Sequence, residues 1–149
     1  MFQLRPSLLL VVLLGAAVLG LSACWGSKKT APTKSAFLRA SSAICKKTNG
    51  TLAAAGSSFF SGSSGATKTE ADFVKQKVHP IFEVALNRIE GLGAPQGDED
   101  KVKAIVTAGR AALDKLQAHP LLLRADAGSA RDPFRDFGRL SQAYGITCG

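Results

Sequence analysis

Hydrophobic and polar positions divide the chain into one unbroken apolar run and four stretches of helical periodicity. The run comes first: "SLLLVVLLGAAVLGL", residues 7–21, holds no charged side chain. From Ser35 the apolar positions recur at helical steps. Leu38, Cys45, Leu52 and Phe59 are seven residues apart, with Phe37 and Ile44 on the flank of the same stripe. The repeat runs through Asn49-Gly50, a pair that elsewhere signals a stop, so one long helix weakened at Gly50 is expected. "SGSSGAT" (Ser61 to Thr67) reads as a flexible loop, and Thr67-Lys68-Thr69-Glu70 fits a capping box for the second helix. There Val74, Val78, Ile81, Ala85, Ile89 and Leu92 share a face. Pro80 lacks an amide donor and clashes with the carbonyl four residues back, which predicts a kink near Gln76 to Pro80.

"GLGAPQGDED" closes that helix and opens a third, with Asp98, Glu99 and Asp100 read as a solvated cluster at the positive end of its dipole. Val102, Ile105, Val106, Gly109, Ala112, Leu113 and Leu116 continue the apolar stripe, and Gly109 leaves room for a close neighbour. His119-Pro120 ends the segment, and "LLLRA" reads as a short apolar turn of helix or a loop lid. In the last helix Asp132 suits the N-cap and Pro133 the first helical position. Phe134, Phe137, Leu140 and Tyr144 follow at three- and four-residue steps, and Gly145 provides the stop. No stretch alternates with a strand's period. The expectation is an all-α domain over residues 35–149, four main helices in a bundle.

Composition adds an address. One positive charge, Arg5, precedes the apolar run, and small residues follow it before Cys24, the pattern of a secretory signal over residues 1–23. The run falls short of the ~20 apolar residues a spanning helix needs. Leu21-Ser22-Ala23-Cys24 resembles the lipobox of bacterial lipoprotein precursors. That resemblance implies a diacylglyceryl thioether on Cys24, acyl chains such as palmitate, and cleavage that makes Cys24 the new N-terminus. Each buried methylene adds about 0.8 kcal/mol, so two or more chains hold a soluble domain at a bilayer. The protein is then expected at the cell membrane, lipid-anchored and facing outside the cytoplasm. The bland alternatives are an uncleaved anchor and an ordinary secretory signal with a coincidental cysteine.

Residues 24–34 read as the lipidated cysteine and a flexible tether, with Lys28, Lys29 and Lys34 placed to meet a bilayer or simply to keep a linker solvated. With Cys24 lipidated, Cys45 and Cys148 remain as an even pair, which export would oxidise to a disulfide; two free thiols are the alternative. There is no C-x-x-C to suggest redox catalysis. The formal charge of +8, less Arg5 on cleavage, favours anionic lipid or wall polymer as neighbours. Nucleic acid is not expected, because of the location and because aromatic residues do not interleave with the basic ones. The helix bearing Cys45, the Pro80 interruption, "LGAP" and the final "YGITCG" resemble small secreted or lipid-anchored helical proteins of actinobacteria. That likeness brings no activity and no functional residues.

The chemistry-bearing residues do not converge. His79 and Glu83 share a helical side, but a tetrahedral metal site needs more ligands, and His119 is the only other histidine. No nucleophile elbow, paired-acid or phosphate-loop pattern occurs. Arg131, Arg135 and Arg139 share a face and could grip an anion, but Asp132 and Asp136 sit at spacings that allow Asp132–Arg135 and Asp136–Arg139 pairs. No catalytic, cofactor or metal residue is nominated, and an enzyme would need His79 or His119 in a cleft beside an acid. The expected role is a membrane-tethered protein-interaction or structural module with an envelope protein partner. The alternative is a carrier or sensor of a small apolar ligand or lipid between the helices. A dry, packed interior favours the first and an apolar pocket the second.

Overall fold

Thr33 opens the first helix by accepting the Ala36 amide on its hydroxyl at 3.3 Å, which satisfies one of the amides a helix start leaves unpaired. A computed structural model describes residues 30–62 and 69–148. The expected signal peptide, Cys24 and most of the tether lie outside the described residues. Helix α1, Lys34–Phe60, runs unbroken through Asn49 and Gly50. Its buried side chains are Phe37, Ser41, Cys45 and Thr48. The two polar ones fit inside because their hydroxyls donate to Phe37 O (2.7 Å) and Ile44 O (2.8 Å) in their own helix.

The second helical stretch consists of α2, Glu70–Phe73, a π-helical turn, Val74–Val78, and α3, His79–Gly91. Its cap corrects the expected capping box. Thr67 and Lys68 lie outside the described residues, and the hydroxyl accepting an amide belongs to Thr69, from Asp72 at 3.1 Å. Glu70 reaches Arg124. The interruption at Pro80 is present as the π-turn: proline cannot donate to the carbonyl of Gln76, and the His79 amide donates five residues back, to Val74 O.

Helix α4, Glu99–Ala118, is followed by a 3-10 turn, Pro120–Arg124, and by α5, Arg135–Tyr144. Asp132 does not cap α5 at its first turn. Its carboxylate accepts the amides of Gly128 (2.6 Å) and Phe134 (2.8 Å), which fixes the bend that leads into the helix. Gly145, with φ of 101°, ends α5 in the left-handed region that glycine tolerates.

Helix α1 packs on α3, α3 on α4 and α4 on α5, giving the all-α bundle of four main helices. The α3–α4 contact is close because residue 109 is glycine: a Cβ there would stand 2.6 Å from Leu86 Cδ2 and 3.1 Å from Phe137 Cδ2. Leu86 and Leu113 are fully buried in a main core with Phe37, Cys45, Ile105 and Tyr144. A second cluster, Phe73, Val74, Val78 and Leu116, fills the end where α1 finishes.

The tail returns to α1. Cys148 is bonded to Cys45 with Cα atoms 4.9 Å apart, Ile146 is buried, and the Thr147 amide donates to Ser42 Oγ at 3.1 Å. The bond spans 103 residues of sequence. In the chain-entropy picture a loop of that size contributes about 4–5 kcal/mol by restricting the unfolded chain. Replacing Cys45 and Cys148 together by serine is expected to lower unfolding stability by about that amount, read from urea denaturation. An unchanged midpoint would remove the disulfide from the stability of the fold.

Candidate functional site

A large apolar concavity follows from a mismatch of helix lengths. Helix α1 extends well beyond the stretch that α5 covers, and the exposed half of its inner face borders a cleft of about 850 Å³. Cys45, Asn49, Leu52, Gly56 and Phe60, on successive turns, form the α1 wall. Leu123, Phe134 and Gly138, from the 3-10 turn to α5, form the wall opposite. Phe73, Val78, Phe82 and Phe137 close the base. These aromatics brace one another: Phe82 lies 4.6 Å from Phe134 and 5.3 Å from Phe137 between ring centroids. Phe59 stacks on Phe73 at 4.5 Å and so holds the far end of α1 in place.

Few polar groups reach this surface. Asn49 Nδ2 donates to Cys148 O at 3.0 Å, leaving the side-chain oxygen as an acceptor. Ser57 contributes a hydroxyl. Asp132 is the single charged lining residue among those described, and both of its oxygens already accept backbone amides. Among the described residues no lysine, arginine or histidine lines the cleft. A carboxylate or phosphate deep inside it would lose water without finding a cation among the described lining residues. Phe60, 57% exposed, stands at the rim, with the Arg124 guanidinium 5.6 Å above its ring and Glu70 paired to that arginine.

A polar cluster stands at the other end of α1. Asp98 was expected in a solvated helix start, but it is 9% exposed and draws three elements together. Its carboxylate accepts from Lys101 Nζ at 2.6 Å and Tyr144 Oη at 2.9 Å, and Lys34 Nζ lies at 3.5 Å. The Lys34 ammonium also sits 4.8 Å from the centre of the Tyr144 ring. Lys101, then the tyrosine hydroxyl, hold the Asp98 carboxyl below its ordinary value. Burial, then the bond to Asp98, push the Tyr144 phenol up to about 12. Every group here has a partner, and the cluster acts as a clasp between the start of α1, the start of α4 and the end of α5.

The other residues singled out from the sequence stay apart. Glu83 lies 3.6 Å from Arg110, which Glu90 also holds at 2.7 Å, so it forms no pair with His79. His119 is exposed at the end of α4. Among the described residues no group of three or more His, Cys, Asp or Glu is arranged to hold a metal. Arg139 meets Asp136 at 3.8 Å, both well exposed, whereas the expected Asp132–Arg135 side-chain pair is absent because Asp132 binds backbone. Sequence reasoning placed Phe134 and Phe137 on the apolar face of the last helix, but nothing in their spacing revealed a gap in front of them. No helix of the described residues is long and apolar enough to cross a membrane. No protein-family model matches the chain, and neither the curated proteins nor the solved structures contain a match.

The clasp gives two pH signatures. Asp98 has a lowered native pKa, so its contribution is complete above the ordinary carboxylate range and is lost as pH falls through the native value. Tyr144 has a raised one, so its contribution is complete below the ordinary value of 10.0 and is lost as pH rises toward about 12. In urea midpoints measured against pH, Asp98→Asn is expected to flatten the acid limb and Tyr144→Phe the alkaline limb. Curves parallel to wild type would show that the clasp carries no stability.

Proposed function

We propose that this chain is an envelope lipoprotein, tethered through Cys24, whose helical domain binds an uncharged apolar ligand or lipid as a carrier or sensor. The cleft carries this reading over a purely structural module. About 850 Å³ lies within the range of small-molecule sites, its lining is mostly aliphatic and aromatic, and a few hydrogen-bonding groups converge on it. The absence of a cation among the described lining residues favours a ligand without a negative head group. The lipobox-like residues Leu21 to Cys24, the apolar run before them and the Cys45–Cys148 bond all agree with export. An anchor ahead of Lys34 would leave Phe60 at the opposite end of α1, about 40 Å away at 1.5 Å per residue.

Binding of a long-chain fatty alcohol, followed by displacement of a fluorescent neutral probe, tests the cleft. The alcohol is expected to bind at least about tenfold more tightly than the matched fatty acid at alkaline pH. Ala53→Trp, which places an indole from the α1 wall into the space, is expected to abolish binding while preserving the far-ultraviolet spectrum and the melting transition. Equal binding by the folded variant would overturn the cleft as the site.

Anchoring is tested separately. Cys24→Ala is expected to move the protein from the membrane to the soluble fraction or leave it unprocessed. Unchanged fractionation and unchanged mature mass would remove lipidation from this reading.

A further inference from the structure

Helix α1 has a second flank. Beside the stripe that faces the cleft, Ile44, Thr48 and Thr51 face Ile81, Val84 and Ala85 of α3 across a shallow groove of about 300 Å³. Val84 is 50% exposed, one of three large exposed hydrophobics among the described residues. The two threonines add no free donor: Thr48 Oγ1 donates to Ile44 O at 2.8 Å and Thr51 Oγ1 to Lys47 O at 3.0 Å. Their hydroxyl protons are engaged within α1, and the groove floor is aliphatic.

Charge on this flank has one sign. Among the described residues Lys47 and Arg88 line the groove, and no acid does. The acids of α3 are drawn to the opposite side, where Arg110 lies beside Glu83 and Glu90. Lys47 and Arg88 form no ion pair with any described residue, unlike Lys101, Arg110 and Arg124. An aliphatic channel flanked by two unpaired cations is complementary to an apolar ridge with acids on its flanks. The concavity between two packed helices suits the ridge of a third, whereas a bilayer is met by protruding side chains.

We propose that the α1–α3 groove docks an acidic amphipathic helix of a partner protein, its apolar ridge against Ile44, Ile81 and Val84 and its carboxylates against Lys47 and Arg88. This surface is separate from the cleft and does not depend on the apolar-ligand reading.

The test uses the full chain and two synthetic helical peptides with leucine at three- and four-residue steps, one flanked by glutamates and the other by lysines. Fluorescence anisotropy is expected to show binding of the glutamate peptide, weakened about tenfold by Val84→Asp. Lys47→Glu with Arg88→Glu is expected to weaken the glutamate peptide by a similar factor and to gain the lysine peptide. These side chains lie at the surface, and a retained melting transition confirms folding of each variant. Binding of neither peptide, or binding indifferent to both variants, overturns the proposal. So does capture of phosphatidylglycerol vesicles through Lys47 and Arg88 without peptide binding. Sedimentation showing a dimer that Val84→Asp dissolves would make a second copy the occupant and overturn it as well.

Discussion

Joining Cys148 to Cys45 sets the last residues of the chain against the middle of its first helix, and the rest of the bundle is arranged around that junction. The bond is not isolated. Ile146 is buried beside it, Asn49 holds the carbonyl of Cys148, and Ser42 receives the amide of Thr147. One residue before this tail, α5 ends on Gly145, and the residue before that, Tyr144, reaches Asp98. A covalent tie and a hydrogen-bonded clasp therefore fix the C-terminal end of α5 against α1 and α4. The N-terminal end of α5 is positioned by Phe134 and Phe137 against Phe82.

The cleft is a consequence of that placement. Helix α1 is about 40 Å long and α5 about 15 Å, at 1.5 Å per residue. Fixing α5 near the Cys45 level leaves the later turns of α1 with only the second cluster, centred on Phe73 and Leu116, to pack on. The 3-10 turn and the bend tied by Asp132 approach from the far side without filling the space between. Cavity walls built this way are apolar because they are continuations of core faces that have run out of partners.

The four helices were legible in the sequence because apolar spacing reports burial, and it misled where burial and apolarity part company. The seven-residue stripe of Leu38 and Cys45 put Leu38 at the centre, but the buried face of α1 is Phe37, Ser41, Cys45 and Thr48. Two of those four are polar and are concealed from hydropathy by bonds to their own backbone. On the second stretch the π-turn inserts extra backbone, so the buried face turns toward Leu86, while Ile81 is left half-buried. Asp98 read as a helix start and is one, but its bond to Tyr144, 46 residues on, leaves no trace in local spacing. The cleft was the least legible feature, since an unfilled space depends on the relative reach of elements far apart in the chain.

The covalent tie also changes what a protease can accomplish. Residues 45 to 148 form a closed circuit of peptide bonds and one sulfur–sulfur bond. A single cut inside that circuit opens it without separating the pieces, which stay joined through the sulfur–sulfur bond. Release of a fragment takes a second cut or a reductant, so the domain would tolerate a first nick.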